Sequence, residues 1–568
     1  MLHIVCILAH ALQINVVCRQ DNKERWNEIK QMASAVANSY SKESFWIARC
    51  NPIVVVGAGP AGIHVVNELL RWNPQCPIVI YGGEPWNPYA RVKLSSLLAG
   101  EVRTNQLENQ LRLPDIHHVY QRYNCPIVSI NRHDRSVIDS SGRTQPYSKL
   151  ILATGSQPHI PSIPGIHRKG IFTFRDMGDA QQLLARQMRS RRTIVLGGGV
   201  LGLEVARAMQ RANTEVYVIE HSTRLMFNQL DEASSESLRS NVLKMGIRVV
   251  LNNGVQEIVG GTHVEGVRLR NGRCIDCDTL IIATGVRASV KLAVDAGLRV
   301  GKGIQVNDFL QTIDPNIYAI GECCEHREQV YGLLTPGLEQ AGVAAHNIAH
   351  KKTAKYHGSL SLTQLKVVGC PVFSAGVVAD MERASVHRSV VYENASLGIY
   401  RKLVFCHRQL VGVIALGDVR DTFLLQHAIE SKKTFWPWQI YRFQRTGSLW
   451  SQRQSDAISQ WPGIALVCPC RGVTRAQLTN LINDGSDSLH EIIQKTGAAT
   501  VCNACRSHLA EMCETRAEKK PRGLSAAFIA TTIVLILLLG IGFGAVWGNP
   551  EENARAVVLA DEQNWHQQ

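Results

Sequence analysis

The sequence contains no dense block of lysine and arginine interleaved with aromatic residues, which is the composition expected of a nucleic-acid-binding surface. The apolar opening segment, MLHIVCILAHALQINVVC, lacks the basic residues that begin a secretory signal, and residues 1–50 are an extension without an assigned role. A disulfide framework is also missing, because most of the 16 cysteines stand singly within apolar runs. These absences exclude nucleic acid as the first choice of partner and indicate a reducing environment.

The size and composition indicate a folded protein with several structural units. A chain of 568 residues is too long for one hydrophobic core. The hydrophobic content of 45% and the charged content of 19% exclude global disorder. The formal net charge of +14 suits anionic cofactors, an acidic redox partner or an anionic membrane surface.

A long charge-free run lies near the end of the sequence. Residues 524–547 contain neither a charge nor a proline, and they are long enough to cross a bilayer as one helix. Lysine and arginine precede this run, whereas the charged residues after it are mainly acidic. By the positive-inside rule, we expect a single-pass protein of the cytoplasmic membrane, with its catalytic domains facing the cytoplasm and residues 548–568 outside.

From residue 51 onward, apolar strand-like runs alternate with helical stretches, which is typical of the α/β class. Gly57, Gly59 and Gly62 form a G-x-G-x-x-G pattern between a strand and a helix. The first glycine permits the tight turn, the second lets backbone N–H groups approach a pyrophosphate, and the third allows close helix packing. Glu84 follows the next strand, where its carboxylate can accept hydrogen bonds from ribose hydroxyls.

The same constellation occurs a second time, 140 residues later. Gly197, Gly199 and Gly202 follow another strand, and Glu220 ends the strand after that. A tight structural turn is the alternative for one such match, but two matches in the same context favour nucleotide binding. The sequence therefore predicts two dinucleotide sites.

Four cysteines near the C-terminal end have the spacing of a metal site. Cys468 and Cys470 form C-x-C, and Cys502 and Cys505 form C-x-x-C. The alternatives are a structural zinc, a [2Fe–2S] cluster and free thiols; the spacing favours iron–sulfur, since zinc more often uses two C-x-x-C pairs. Capping patterns predict that helices lie between the two pairs, because Thr474 with Gln477 and Ser488 with Glu491 match the capping box, and Gly485 and Gly497 stand where helices would end.

The order of GAGPAG, ATGS, GGGVLG, ATGV and YAIGE resembles the two-dinucleotide-binding flavoprotein disulfide reductase superfamily. The resemblance implies that the first fingerprint binds FAD and the second binds NAD(P)H. It also implies contacts with the cofactors from Pro60, Ala61, Arg91, Lys93, Val128, Ala153, Gly155, Gly285, Gly321 and Glu322, with Val128 against the adenine and the Gly321–Glu322 pair at the flavin ribityl chain.

One departure from the superfamily and one acidic residue refine this resemblance. The C-x4-C redox pair of the disulfide reductases is missing after the first fingerprint, where the chain reads IHVVNELL, so dithiol substrates are not expected. Glu220 repels a 2′-phosphate and favours NADH, while His221 and Arg224 keep NADPH as the alternative. No side-chain acid or base is required for hydride transfer, so no catalytic residue is predicted.

The cysteine module, from VCPCRGVTRAQL to VCNACRSHL, resembles the bacterioferritin-associated-ferredoxin-like domain, which implies a [2Fe–2S] cluster; Asn503 replaces the usual glycine of the last pair. Over residues 51–510, stretches such as YARVKLS and GECCEHREQVYGLLTPG resemble the large subunit of assimilatory NAD(P)H nitrite reductase. The C-x5-C and C-x3-C set of that family's sirohaem half is not found in this sequence. Nitrite reduction by this chain alone is therefore not predicted.

The predicted fold class is α/β, with two Rossmann-like dinucleotide-binding domains, an α+β domain, a small helical [2Fe–2S] domain and one transmembrane helix. The FAD domain is discontinuous, and the NAD domain is inserted into it. The predicted boundaries are 51–165 and 281–350 for the two parts of the FAD domain, 166–280 for the NAD(P)H domain, 357–445 for the reductase C-terminal domain and 465–513 for the cluster domain.

The predicted function is a membrane-anchored oxidoreductase that passes electrons from NADH through FAD to a [2Fe–2S] cluster and on to an external acceptor. The acceptor is a redox protein, a membrane component or a separate sirohaem subunit, the lipid bilayer is a further partner, and a homodimer is one option for assembly. The alternative is a redox-sensing or iron-handling adaptor whose cluster domain binds a partner.

Overall fold

The computed structural model describes residues 51–517 apart from short gaps at 109–110, 112, 114–115, 351–352, 366–370, 379–386, 420, 451–457, 459–460, 462, 464–465, 469–472, 486–487 and 500–504. In this part of the chain, the strands of the first two domains are mostly short and buried on both faces, as expected where helices cover a parallel sheet. Two such sheets organise the reductase.

The first parallel sheet holds the first glycine fingerprint. Its strand order is β19-β7-β1-β2-β3, so a strand from much later in the chain completes one edge. The strands are β1 (Ile53–Val56), β2 (Ile78–Tyr81), β3 (Val119–Arg122), β7 (Lys149–Leu152) and β19 (Ile317–Ala319). Helices of this region are α1 (Pro60–Trp72), α2 (Leu94–Leu98), α3 (Thr104–Glu108), α7 (Lys291–Asp295) and α8 (Leu334–Ala349), and α1 packs along α8.

The second parallel sheet repeats this arrangement between β7 and β19. Its order is β12-β11-β10-β16-β9, and the second glycine fingerprint follows β10. The strands are β9 (Ile171–Thr173), β10 (Arg192–Leu196), β11 (Glu215–Ile219), β12 (Arg248–Val250) and β16 (Thr279–Ile282), with helices α4 (Met177–Gln187), α5 (Val200–Arg211) and α6 (Glu232–Lys244). Since β16 belongs to this sheet, the inserted domain extends past the predicted boundary at residue 280.

Each parallel sheet carries a small antiparallel sheet, and a two-stranded ribbon links the two domains. One small sheet contains β4 (Ile127–Asn131), β5 (Ser136–Asp139) and β6 (Thr144–Pro146), and the other contains β13 (Val255–Val259), β14 (Gly266–Leu269) and β15 (Cys274–Asp276). The ribbon pairs β8 (Ser156–Pro158) with β17 (Val286–Ala288). A further parallel pair joins β18 (Ile304–Val306) to β20 (Cys324–His326).

An antiparallel sheet of five strands forms the next domain, in the order β21-β22-β25-β24-β23. Its strands are β21 (Leu362–Leu365), β22 (Val372–Gly376), β23 (His387–Asn394), β24 (Ile399–Cys406) and β25 (Gln409–Leu416), followed by α9 (Thr422–Glu430) and α10 (Pro437–Thr446). Phe435 and Phe443 are buried in its core. These strands and helices form one α+β unit.

The cysteine module is small and mainly helical. It contains the short strands β26 (Leu466–Cys468) and β27 (Val473–Thr474) and the helices α11 (Arg475–Asn483), α12 (Leu489–Thr496) and α13 (Arg506–Ala517). Thr474 and Gln477 form the predicted capping box at the start of α11, and Gly497 ends α12 in a left-handed conformation. The capping residues thus define the helix ends that the sequence indicated.

One prediction requires correction. Among the residues that the structure describes, no helix has the length and apolar composition needed to cross a membrane. This finding contradicts the predicted single-pass location at the cytoplasmic membrane, with the bilayer as a partner. The predicted span at 524–547 and the tail at 548–568 lie outside the described residues, as does the extension at 1–50.

Candidate cofactor-binding site

The two fingerprint turns are built alike, and each glycine has a distinct physical reason. Gly57 has φ of +116°, and a Cβ there would lie 2.1 Å from the carbonyl oxygen of Ala153. A Cβ on Gly62 would lie 1.9 Å from the carbonyl oxygen of Gly57, so helix α1 could not approach the turn. A Cβ on Gly59 would meet nothing within 4 Å. Gly59 therefore leaves open space at the start of the helix, where a phosphate can approach the backbone.

The second turn reproduces this geometry. Gly197 has φ of +117°, and its Cβ would lie 2.3 Å from the carbonyl oxygen of Ala283. A Cβ on Gly202 would lie 2.0 Å from the carbonyl oxygen of Gly197, while one on Gly199 would again meet open space. Both turns thus have the tight bend, the open N-terminus and the close packing that dinucleotide binding requires.

A continuous cavity of about 1960 Å3 connects the two turns. It is large enough for two dinucleotides, since common ligand sites have volumes of roughly 300–1,000 Å3. Most of the predicted site residues line it, namely Gly57, Gly59, Pro60, Ala61, Glu84, Arg91, Lys93, Ala153, Gly155, Gly197, Gly199, Glu220, Gly285, Gly321 and Glu322. Gly62 and Gly202 lie behind the turns. Val128 is not in the lining, and its side chain is 54% exposed on β4.

The two predicted ribose acids are held in different ways. Glu220 accepts hydrogen bonds from the backbone N–H groups of Gly198, at 2.6 Å, and Ser222, at 2.8 Å. Glu84 is paired with the guanidinium of Arg91 and accepts a hydrogen bond of 2.7 Å from the Tyr89 hydroxyl. Both carboxylates therefore stand at the cavity wall in fixed orientations.

Sequence reasoning missed two partners of Glu322. The Arg175 guanidinium forms an ion pair with the Glu322 carboxylate, and the Ser156 hydroxyl donates a hydrogen bond of 2.7 Å to it. Arg175 comes from the loop between β9 and α4 and Ser156 from the linking ribbon, so the inserted domain contributes to the flavin side of the cavity. No motif marks either residue.

A partly buried acid in the cavity wall was also missed. Glu204 lies on α5, directly after the second fingerprint, and lines the cavity. Burial raises the pKa of this carboxyl to about 7, and the neighbouring charge of Glu101 acts in the same direction. A hydrogen bond from Ser95 partly opposes the increase. Its charge state therefore changes near neutral pH.

The described part of the cysteine module brings two of the four predicted ligands into one apolar core. Cys468 and Cys505 are buried together with Val467, Leu478 and Leu509. Cys470 and Cys502 lie outside the described residues, and the described residues contain no group of three or more metal ligands. Two buried thiols from chain segments 37 residues apart fit one shared site, because a thiolate cluster needs ligands from both pairs.

Models of three families match successive parts of the chain. Residues 51–347 match pyridine nucleotide-disulphide oxidoreductases, 362–433 match the rubredoxin NAD+ reductase C-terminal domain, and 466–514 match the BFD-like [2Fe-2S] binding domain. The chain belongs to the pyridine nucleotide-disulphide oxidoreductase family. The matches confirm the predicted α/β reductase fold with a [2Fe–2S] domain and the predicted cofactors, which are FAD, a nicotinamide nucleotide and a [2Fe–2S] cluster.

Individual relatives confirm the resemblance to the electron-entry half of nitrite reductase. The assimilatory nitrate reductase electron transfer subunit of Bacillus subtilis is 34% identical over 463 residues, which are 80% of this chain and 58% of that protein. The nitrite reductase (NADH) large subunit of Escherichia coli is 33% identical over 466 residues, covering 80% of this chain and 54% of that protein. The chain thus spans less than two thirds of these relatives.

Solved structures show the same fold. A ferredoxin reductase from Rhodopseudomonas palustris superimposes with a TM-score of 0.62 at 23% identity, covering 69% of this chain and 97% of that one. NADH:rubredoxin oxidoreductase from Clostridium acetobutylicum gives a TM-score of 0.56 at 24% identity, over 68% and 96% of the two chains. The chain is an NAD(P)H-dependent flavoprotein oxidoreductase with an added [2Fe–2S] domain.

Proposed function

We propose that the chain oxidises NADH and delivers the electrons, by way of FAD and the [2Fe–2S] cluster, to an acceptor outside this chain. Each NADH yields NAD+, one proton and two electrons, so two one-electron acceptors are reduced per turnover. FAD, when bound, accepts a hydride and releases electrons singly, which suits it to join a two-electron donor to a one-electron cluster. The chain supplies the binding sites and their relative positions.

One structural relationship carries this proposal. The start of α8 lines the cofactor cavity through Leu334, Thr335 and Gly337, and Gly337 lies against Gly321. Leu334 and Leu338, one turn apart on the same helix, pack into the apolar core that contains Cys468 and Cys505. The nucleotide cavity and the cysteine module therefore meet at the first turns of one helix.

We further propose that NADH is preferred over NADPH. The Glu220 carboxylate is held at the second turn by two backbone N–H groups. A carboxylate in this position can bind ribose hydroxyls and repels a 2′-phosphate. His221 lies 2.8 Å from the Glu220 carboxylate, and Arg224 donates to the backbone carbonyl of Leu230 at 3.0 Å and lies against the Phe227 ring. These contacts within the chain hold Arg224 away from the role of binding a 2′-phosphate.

The acceptor that we propose is a one-electron redox protein or a separate sirohaem subunit. The named relatives are nitrite reductases and a nitrate reductase electron transfer subunit, and this chain matches about half to three fifths of their length. The matched part is the part that would take electrons from a nicotinamide. We do not propose nitrite as a direct substrate of this chain.

Steady-state assays with purified protein test the function. We expect rapid oxidation of NADH with ferricyanide or cytochrome c as the acceptor. A flavin that NADH cannot reduce would support the adaptor function and contradict the proposal. In the Cys502→Ser variant, reduction of the flavin by NADH should survive, while delivery to cytochrome c should collapse. Equal loss of both activities would refute the order of the relay.

A further inference from the structure

An aromatic stack joins the cysteine module to the domains that precede it in the chain, which together are called the reductase body. The rings of Phe423, on α9, and Trp461, just before the module, lie parallel, with centroids 4.3 Å apart and planes inclined by 8°. His508, three residues after Cys505 on α13, contacts the Trp461 ring edge-on at 5.3 Å. Trp461 is only 4% exposed. Its indole is thus enclosed between a helix of the body and the helix that follows a predicted cluster ligand.

The stack continues into the contact made by α8. Phe423, Leu334 and Leu338 all pack against one apolar core, which also contains Trp461 and both buried cysteines. Two helices of the body, α8 and α9, therefore contact the core of the module. Domains within a chain are expected to move relative to one another unless their interface is substantial and apolar. This interface is apolar and aromatic, which favours one fixed arrangement.

The position of the interface gives it a functional consequence. Leu334 both lines the cofactor cavity and packs against the core of the module. Electron transfer between two centres slows steeply as their separation grows, so a module that left α8 would receive electrons poorly. The side chains that close this interface therefore control the distance between the flavin side of the cavity and the cluster.

We propose that Phe423 and Trp461 are positioning residues that clamp the cysteine module against the start of α8 and thereby set the rate of electron transfer from the flavin side of the cavity to the cluster. This inference rests on the proposed function and adds to it the residues that fix the relay. It predicts a docked module, not one that swings between the flavin and the acceptor.

Variants of the full holoprotein test the clamp. In Phe423→Ala and Trp461→Ala, rapid mixing with NADH should show flavin bleaching at the rate of the unmodified protein. The electron paramagnetic resonance signal of the reduced cluster should develop several-fold more slowly, because a module that leaves α8 lies farther from the flavin side of the cavity. Trp461→Phe keeps a stacking ring and should restore most of the rate.

A structural readout and a control separate positioning from damage. Backbone hydrogen exchange in α9 should increase in both alanine variants while iron content per chain stays unchanged. Trp436→Ala is the matched control, because Trp436 is 60% exposed and its ring contacts Arg408 outside this interface. Trp436→Ala should change neither the rate of flavin reduction by NADH nor the rate of cluster reduction.

Two outcomes would overturn the clamp. One is normal cluster reduction in Phe423→Ala with full iron content, since this variant changes the body and leaves the module intact. The other is slowed cluster reduction without any rise in hydrogen exchange. If NADH fails to reduce the flavin of the unmodified protein, the proposed function is wrong, which is distinguishable from failure of the clamp.

Discussion

The carboxylate of Glu220 accepts a hydrogen bond of 2.6 Å from the backbone N–H of Gly198, inside the second fingerprint turn. The acid that directly follows β11 is therefore tied to the turn that would hold the pyrophosphate. Ser222 donates a second backbone hydrogen bond of 2.8 Å to the other carboxylate oxygen. A carboxylate that is fixed by two backbone donors has little freedom to move away from a bound ribose.

Replacing this acid should change the nucleotide preference. In Glu220→Gln, we expect kcat/KM for NADH to fall about tenfold or more, since a hydrogen bond to a charged group contributes roughly 1.5–3 kcal/mol. The kcat/KM for NADPH should stay the same or rise, because the negative charge that repels a 2′-phosphate is removed. Glu215→Gln is the control, because Glu215 pairs with Arg192 and Arg248 at the other end of the same strand. An unchanged NADH-to-NADPH ratio in Glu220→Gln would refute the role.

The glycines of one turn should respond differently to the same substitution. Gly199→Ala meets open space and should fold normally with FAD bound, yet its affinity for NADH should fall by about tenfold or more because the methyl group occupies the phosphate approach. Gly197→Ala has positive φ and a steric clash with Ala283, so it should lose about 3 kcal/mol or more of stability. Thermal unfolding and NADH titration separate the two effects; equal behaviour would contradict the geometry.

Glu204 should make stability depend on pH. Its folded pKa of about 7 lies above the ordinary value, so the folded state binds a proton more tightly than the unfolded state. Its contribution is fully favourable below the ordinary pKa and is lost as the pH rises through about 7. The shift corresponds to at most roughly 3 kcal/mol.

The measurement is thermal unfolding of apoprotein between pH 5 and pH 8. Glu204→Gln should weaken the dependence of stability on pH. Relative to the unmodified protein, the variant should gain about 1–2 kcal/mol of stability at pH 8, because the partial exposure of Glu204 reduces the full effect. Glu101→Gln should move the profile only slightly, because Glu101 is a secondary cause of the raised pKa and is itself paired with arginines. Parallel profiles for Glu204→Gln and the unmodified protein would contradict the assignment.

A buried ion pair stabilises the antiparallel domain. Arg401 and Asp421 are less than a tenth exposed and lie 2.9 Å apart, and Arg401 also donates to the carbonyl oxygens of Asp418 and Gly447. Arg401→Met should destabilise this domain by about 3–5 kcal/mol because a buried carboxylate loses its partner. Arg268→Met, which breaks an exposed pair, should cost at most about 1 kcal/mol. Similar unfolding temperatures for the two variants would rule out the buried pair as a stabilising contact.

The sequence predicted the parts of the site whose function depends on local geometry. Gly57 and Gly197 were identifiable because a tight turn with positive φ selects glycine wherever it occurs. Glu220 was identifiable because its distance from the fingerprint is set by one helix and one strand. The helix ends of the cysteine module were predicted for the same reason, since capping patterns act within four residues.

Contacts between distant chain segments could not be predicted in this way. Arg175 reaches Glu322 across 147 positions, and neither residue carries a local signal of the pairing. The position of Val128 also depended on how the small antiparallel sheet turns, and its side chain lies outside the cavity. The stacking of Trp461 on Phe423 similarly depends on the docking of one domain on another.

The order of strands in the first sheet constrains how the protein is made. Strand β19 pairs with β7, although the whole second domain lies between them in the chain. During synthesis from the N-terminus, more than 160 residues are added after β7 before β19 exists, and the first sheet cannot be completed until then. The inserted domain has all of its own strands by then, so it should mature on the ribosome ahead of the domain that surrounds it.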